Sequence, residues 1–273
     1  MTTWCEQQQI EGVTCTKGFH QLAQVRQVSV YTYMTEGLVI DVGGSKIPQF
    51  RDVLKQQSPE AVLLTHHHED HTGNSAWVEQ HLQIPQYIHR SSVKDMTQKA
   101  NNPLYRQQVW GTREAFTALP LSDTFTAKSI WDVIETPGHA SDHVAFYNRS
   151  TGHLFAGDLF VAPKLKIMLE GESYSTLLHS LQNIQAIDYS GVFCHHAGFL
   201  TDARSLIDRK ITYMQEFAEQ VVRLHDRGMP TTQIVAELLP HTHVMEAVSD
   251  GEWSRHYLVN TIVQERDAIF MTV

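Results

Sequence analysis

The chemistry of this chain is concentrated between Ala61 and Asn74, where an apolar run empties into His66, His68, Asp70 and His71. These are four metal-capable side chains within six positions. Ala61 to Leu64, just before Thr65, read as a buried strand. The ligand-type residues therefore sit at a strand's carboxyl end, where α/β proteins tend to place their sites. On an extended segment His66 and His68 point to one side, because side chains alternate with period two. Two imidazoles on one side can hold one ion. Asp70 and His71 fall where the chain turns towards a helix and can hold a second ion beside the first. A histidine-rich surface tract would also contain His67, but it would lack the preceding strand and the aspartate.

Three later segments repeat this grammar of an apolar strand ending in a ligand. Trp131 to Gly138 leads to His139, Gly152 to Gly157 leads to Asp158, and Gly191 to Cys194 leads to the pair His195 and His196. Imidazoles and carboxylates without a thiolate suit zinc, and also iron or manganese. Two divalent ions a short distance apart can share a water and lower its pKa, generating hydroxide near neutral pH. Such a hydroxide attacks a carbonyl or phosphoryl centre, and no covalent protein nucleophile is needed. Cys194 reads as a small buried hydrophobe. Neither a Gly-x-Ser-x-Gly elbow nor a glycine-rich phosphate loop is present. Asp41 reads equally as a partner fixing the tautomer of a ligand histidine and as a strand-end cap. His143 reads as a satisfied interior histidine, with Asp142 beside it.

In their order, Thr65 to His71, Pro137 to His139, Gly157-Asp158 and the strand-end His196 resemble the metallo-β-lactamase-fold hydrolases. The apolar strand Gly37 to Gly43, ending Asp-x-Gly, matches the start of that pattern, and the resemblance covers about residues 20 to 200. It implies the α/β class, a four-layer αββα metallo-β-lactamase sandwich. It also implies one metal held by His66, His68 and His139, and a second held by Asp70, His71 and His196. Asp158 would bridge the two, and Asp70 would both ligate and orient the nucleophile. The nearest branch is similar to glyoxalase II, whose last motif reads Cys-Gly-His. Aligning Cys194 with His196 leaves His195 in the glycine position and favours His196 as ligand. After Asp158 the chain departs from glyoxalase II, because Pro163 to Ile167 replaces a glycine-rich, arginine-containing segment. The implied activity is a dinuclear-zinc hydrolase of a small acyl substrate, a thioester, ester or lactone. The alternatives are a phosphodiesterase or ribonuclease of the same fold, and a mononuclear-iron sulfur dioxygenase.

The elements that must position these residues are legible in outline. Residues 22–42 read as strands, Lys46 to Gln57 and Asn74 to Leu82 as helices, Pro85 to His89 as a short strand, and 91–118 as helices near the site. Tyr105, Trp110 and Phe116 in that last stretch are substrate contacts or, more commonly, packing anchors. Tyr174 to Ile187 has helical apolar spacing. From Ala203 the strand-and-ligand grammar stops. Helices are expected over Ser205 to Arg227, Gln233 to Leu239 and Glu252 to Ala268, so we divide the chain into a catalytic domain, 1–202, and a helical C-terminal extension, 203–273. The apolar stripe of the first of these helices is expected to wall the pocket or to form a homodimer surface.

Composition bounds the rest. A chain of 273 residues with 42% hydrophobic content can bury a sizeable core. Three cysteines, Cys5, Cys15 and Cys194, argue against a disulfide framework. The net charge of −9 disfavours sequence-independent binding of nucleic acid. Lys164, Lys166, Arg204, Arg209 and Lys210 read as a solvated charged face rather than an anion site. With no signal-like start and no long apolar run, the expectation is a cytoplasmic protein with no membrane partner, acting on a small molecule.

Overall fold

The computed structural model describes residues 2–22 and 27–270. Residues 23–26, inside the stretch read as strands over 22–42, lie outside the described residues. The chain divides into two compact units. One comprises Met1–Glu135, Asp142–Asp158 and Tyr189–Thr201, and the other Thr136–Ser141, Leu159–Asp188 and Asp202–Val273.

The first unit holds both large sheets. Seven strands run in sequence order: β1 (Thr2–Ile10), β2 (Val13–Gln21), β3 (Val28–Thr35), β4 (Leu38–Ile40), β5 (Ala61–Leu63), β6 (Gln86–Ile88) and β7 (Leu119–Pro120). Pairing is antiparallel from β1 to β4 and parallel from β4 to β7. Parallel neighbours need crossovers. Helix α1 (Gln49–Gln57) lies in the first, and the single turn α2 (Glu69–Thr72) and α3 (Ser75–His81) lie in the second. Leu38, Ile40, Ala61 and Leu63 join the core between the sheets, whereas Val39, Val62 and Leu64 pack with Leu54 of α1 and with Ala76 and Val78 of α3. Burial on both faces is why these strands read as unbroken apolar runs.

The second sheet has the order β14 (Gly198–Leu200), β13 (Gly191–Cys194), β11 (His153–Phe155), β10 (Val144–Asn148), β9 (Ile130–Glu135) and β8 (Thr124–Thr126). β11 and β13 are parallel, and the other pairs antiparallel. Aromatic rings fill the space between the sheets. Phe155 and Phe193 stack at 4.9 Å, and Tyr33 meets their edges at 5.6 and 5.3 Å. Such pairs each add roughly 0.5–1.5 kcal/mol beyond area burial. The Tyr33 hydroxyl donates to the Cys194 carbonyl at 2.6 Å, so its polar end is satisfied and β3 is tied to the end of β13.

The region expected to be helical over 91–118 is mostly irregular, with only α4 (Val93–Met96) and α5 (Leu104–Val109). Arg113 accounts for part of this, because its Nη1 reaches the carbonyls of Asp95, Met96 and Gln98 at and just past the end of α4, where the helix stops. Phe116 is a core residue beside Met96.

The second unit pairs β12 (Met168–Leu169) with β15 (Trp253–Ser254). Its helices are α6 (Tyr174–Gln185), α7 (Ala203–Asp226), α8 (Thr231–Leu238), α9 (Val244–Val248), α10 (Arg255–Gln264) and α11 (Arg266–Phe270). The stripe of α7 is buried at Ile207, Met214, Phe217, Val221 and Leu224, and α7 packs against α6, α8, α10 and α11. That stripe is used within the unit. Lys210 lies in the same register and is also buried. Of the five basic residues read as a solvated charged face, Lys164, Lys166, Arg204 and Arg209 are exposed, and Lys210 alone is buried, where it donates to the carbonyls of Leu159 and Phe160. The helix expected over Glu252 to Ala268 is split at Glu265 and starts late, because Ser254 caps α10 through its hydroxyl. Among the described residues no helix is long and apolar enough to cross a membrane. The α/β sandwich with C-terminal helices expected from the sequence is the observed architecture.

Candidate metal centre

Thr65 to His71 leave the carboxyl end of β5, and their shape is fixed from the neighbouring strand. Asp41 follows β4 with φ +57°, a left-handed conformation that aspartate tolerates better than most residues. Its carboxylate accepts from the Thr65 N–H at 2.8 Å, the Thr65 hydroxyl at 2.7 Å and His71 Nδ1 at 2.6 Å. Burial pushes the Asp41 carboxyl up, but the neighbouring His195 and His71 more than offset this and hold it well below the usual range. Of the two readings of Asp41, the structure shows the partner to a histidine. It also anchors the loop backbone.

With Nδ1 donating to Asp41, His71 presents the lone pair of Nε2. That atom is buried and has no hydrogen-bond partner. It lies 3.4 Å from Asp158 Oδ2 and 3.8 Å from Asp70 Oδ2. His196 is arranged alike. Its Nδ1 donates to the Ser29 carbonyl at 3.0 Å, and its Nε2 lies 3.3 Å from Asp70 and 3.2 Å from Asp158. One atom each from Asp70, His71, Asp158 and His196 fit within 4.8 Å of one another. Imidazole nitrogens facing carboxylate oxygens need a proton or a metal cation between them. Burial disfavours charge on His71 and His196, yet the surrounding carboxylates push both well above the ordinary value. The same negative field draws a divalent cation, and the donor set fits one.

Asp158 reaches this cluster from a tight turn. Gly157 has φ +49°, and a side chain there would collide with His143. Nε2 of His143, buried at the turn, accepts from the Asp158 N–H at 3.0 Å. His143 is thus the satisfied interior histidine expected from the sequence. Asp142 bonds instead to His67 at 2.8 Å and to Ser92 at 2.7 Å. That bond holds His67, whose ring lies 4.7 Å from that of His68, on a bend beyond the end of β5. His66 and His68 are buried with ring centroids 4.5 Å apart. Glu69, between His68 and Asp70, is clamped by Arg106 of α5 through bonds of 2.6 and 2.7 Å.

His195 is fully buried and its Nε2 lies 3.0 Å from Asp41 Oδ2. Asp41, His71 and His195 form a second convergent group, but Asp41 is already committed to Thr65 and His71, so this group is a support. His196, not His195, faces Asp70 and Asp158. Trp110 packs beside Val30, Ile47 and Phe50 and has its ring 6.0 Å from that of His196.

His139 lies in the second unit. Gly138 before it has φ +133°, and an added Cβ would stand 2.5 Å from the Leu177 backbone. Ser180 donates to the Pro137 carbonyl at 2.7 Å. His139 Nδ1 bonds Oε1 of Glu172 at 2.6 Å. Sequence reasoning missed Glu172, and nothing in its spacing from His139 signals it. The thiols of Cys5 and Cys15 offer no rival chemistry, because burial pushes both up to about 12.

This geometry agrees with the comparisons to known proteins. The profile of the metallo-beta-lactamase superfamily matches residues 24–196, and the chain belongs to that superfamily as one of its enzymes. The chain is 33% identical over 129 residues to the probable metallo-hydrolase YybB of Bacillus subtilis (strain 168), covering 46% of this chain and 58% of that protein. It is 29% identical over 208 residues to the hydroxyacylglutathione hydrolase of Hamiltonella defensa subsp. Acyrthosiphon pisum (strain 5AT), covering 74% of each. Among solved structures, a metallo-beta-lactamase family protein of Thermus thermophilus shares the fold with a TM-score of 0.66. It is 19% identical and covers 94% of this chain and 95% of that one.

Proposed function

We propose that this chain is a dinuclear-metal hydrolase of a small acyl substrate, a thioester, ester or lactone. The observation that carries the reading is the buried convergence of His71 and His196 lone pairs on Asp70 and Asp158. In this reading Asp70, His71 and His196 would hold one ion, His66, His68 and His139 would hold the other, and Asp158 would be shared between them. Zinc suits the set, and iron or manganese would be accepted by the same donors. When bound, such a pair supplies Lewis acidity and a water of lowered pKa.

The protein's own part is positional. Asp41 keeps His71 in the Nδ1–H tautomer, and the Ser29 carbonyl does the same for His196. Second partners of this kind orient ligands and raise their basicity. Asp70 would both help hold an ion and orient the nucleophile beside it. Support for an acyl substrate comes from the likeness to a hydroxyacylglutathione hydrolase over three-quarters of the chain. The replacement of the glycine-rich segment by Pro163 to Ile167 argues for an acyl thioester other than the glutathione type.

The test is metal content of untagged protein by elemental mass spectrometry, with and without Asp158→Ala, followed by turnover of acyl thioesters, lactones and phosphodiesters. Near two divalent ions per chain, falling in the variant, with thioester or lactone turnover, is the expected outcome. A single iron indifferent to Asp158, or turnover confined to phosphodiesters, would overturn it.

A further inference from the structure

We infer that the C-terminal segment is a positioning element of the metal centre: Tyr257 and β15 set Glu172, and Glu172 holds His139 in the tautomer a ligand needs. The inference rests on the reading of His139 as a metal ligand.

Glu172 is buried, and both of its carboxylate oxygens are engaged. Oε1 accepts from His139 Nδ1 at 2.6 Å, and Oε2 accepts from the Leu169 N–H at 3.0 Å. The carboxylate therefore cannot rotate without losing a bond. A histidine that donates through Nδ1 keeps the Nε2 lone pair for a metal. A buried carboxylate is costly to keep, and an apolar or amide side chain would serve a turn of purely structural purpose. Its presence against an imidazole argues for a role towards that ring.

The turn carrying Glu172 is held from far along the chain. The Tyr257 hydroxyl donates to the Glu172 carbonyl at 3.0 Å and accepts from the Gly171 N–H at 3.0 Å. Gly171 has φ +98°, which few other residues adopt. On one side of the turn, Met168 and Leu169 pair with Ser254 and Trp253, and Glu170 donates to the Glu252 carbonyl at 2.9 Å. On the other side, the Ser175 N–H donates to Glu265 at 2.7 Å. Residues 252–265 thus grip the turn before it, at it and after it. All of these groups belong to one compact unit.

The test measures zinc affinity by competition with a chromophoric chelator for the wild-type chain, Glu172→Gln, Tyr257→Phe and His139→Ala. Glutamine keeps the shape of Glu172, and with its oxygen on the Leu169 N–H it turns an N–H towards His139 Nδ1. Glu172→Gln should weaken one of the two ions about ten- to a hundredfold and leave the other within about twofold. Tyr257→Phe should weaken the same ion by about three- to tenfold. In metal-free wild-type protein the ¹⁵N spectrum should show His139 as the Nδ1–H tautomer, with the Nε2–H tautomer gaining in Glu172→Gln. If Glu172→Gln does not fold, Tyr257→Phe, which deletes one oxygen, carries the test. Unchanged affinities in both variants, with an ion lost in His139→Ala, would overturn the inference and leave the ligand reading standing. Two ions retained in His139→Ala would overturn the ligand reading itself.

Discussion

Two histidines, His71 and His139, are each held through Nδ1 by a buried carboxylate at 2.6 Å, yet the two supports are built differently. Asp41 stands at the end of β4, whose parallel neighbour β5 delivers Thr65 and then His71. The sheet's own register puts Asp41 beside the loop, and three hydrogen bonds follow from adjacency alone. Glu172 stands on a turn outside both large sheets, and residues 252–265, through the β12–β15 pairing and Tyr257, hold it. A carboxylate support for a histidine at parallel strand ends comes with the topology, whereas one on a connecting turn needs a clamp from elsewhere in the chain.

The largest expected effect tests that contrast directly. In metal-free protein, Asp41→Ala strands the Thr65 N–H and His71 Nδ1 in a fully buried place and puts alanine at φ +57°. Removing one partner of such a buried pair costs about 4 kcal/mol. Glu172→Ala removes acceptors from groups nearer the surface and should cost about 2 kcal/mol. Urea unfolding in excess chelator measures both. Equal costs, or the reverse order, would mean that the strand-end support is not the more integral of the two.

Lys210 is a smaller case of long-range support. Its ammonium, buried in the stripe of α7, donates to the carbonyls of Leu159 and Phe160, which directly follow Asp158. Lys210→Met keeps the volume and leaves those carbonyls without a charged donor. The loss should be about 2 kcal/mol, and the melting temperature should fall by a few degrees. A variant as stable as the wild type would show that water replaces the ammonium, and that α7 contributes only apolar packing there.

The same contrast explains what the sequence discloses. The candidate metal-site residues are legible because each follows an apolar strand within a few positions, so that strand and site residue are neighbours in the chain. Asp41 is half legible, because its strand can be read but its partner cannot be. Glu172 is opaque, because it lies 33 residues from His139 with no periodic pattern between them. The Thr2–Gln21 hairpin is hard to read for another reason: Gln7 to Gln9 carry no apolar alternation, as suits an exposed edge strand. Glu11-Gly12, with φ +50° and +80°, is the two-residue hairpin signal that marks it. Residues 91–118 look helical from scattered apolar positions, and Asn101-Asn102-Pro103 is the stop signal that weighs against them.

The smallest effect concerns the clamp's own anchor and its response to acid. Arg255 opens α10, and Glu246 accepts from its backbone N–H at 2.8 Å and its Nε at 2.6 Å. Arg255 also donates to the Leu239 carbonyl at 2.6 Å, so the pair pins the start of the segment that reaches Glu172. Burial pushes the Glu246 carboxyl up, but the bonds and charge of Arg255 outweigh it and hold the pKa below the ordinary value. A carboxyl depressed in the folded chain stabilises it above the unfolded pKa, and loses that contribution as pH falls through the folded one. At neutral pH, Glu246→Gln should therefore cost at most about 1 kcal/mol. The gap to wild type should close as pH drops below the usual glutamate range, with urea unfolding of metal-free protein as the measure. A gap that stays constant across that range would mean the Arg255 contact works as a neutral hydrogen bond. The clamp would then hold Glu172 in acid as firmly as the strand register holds Asp41.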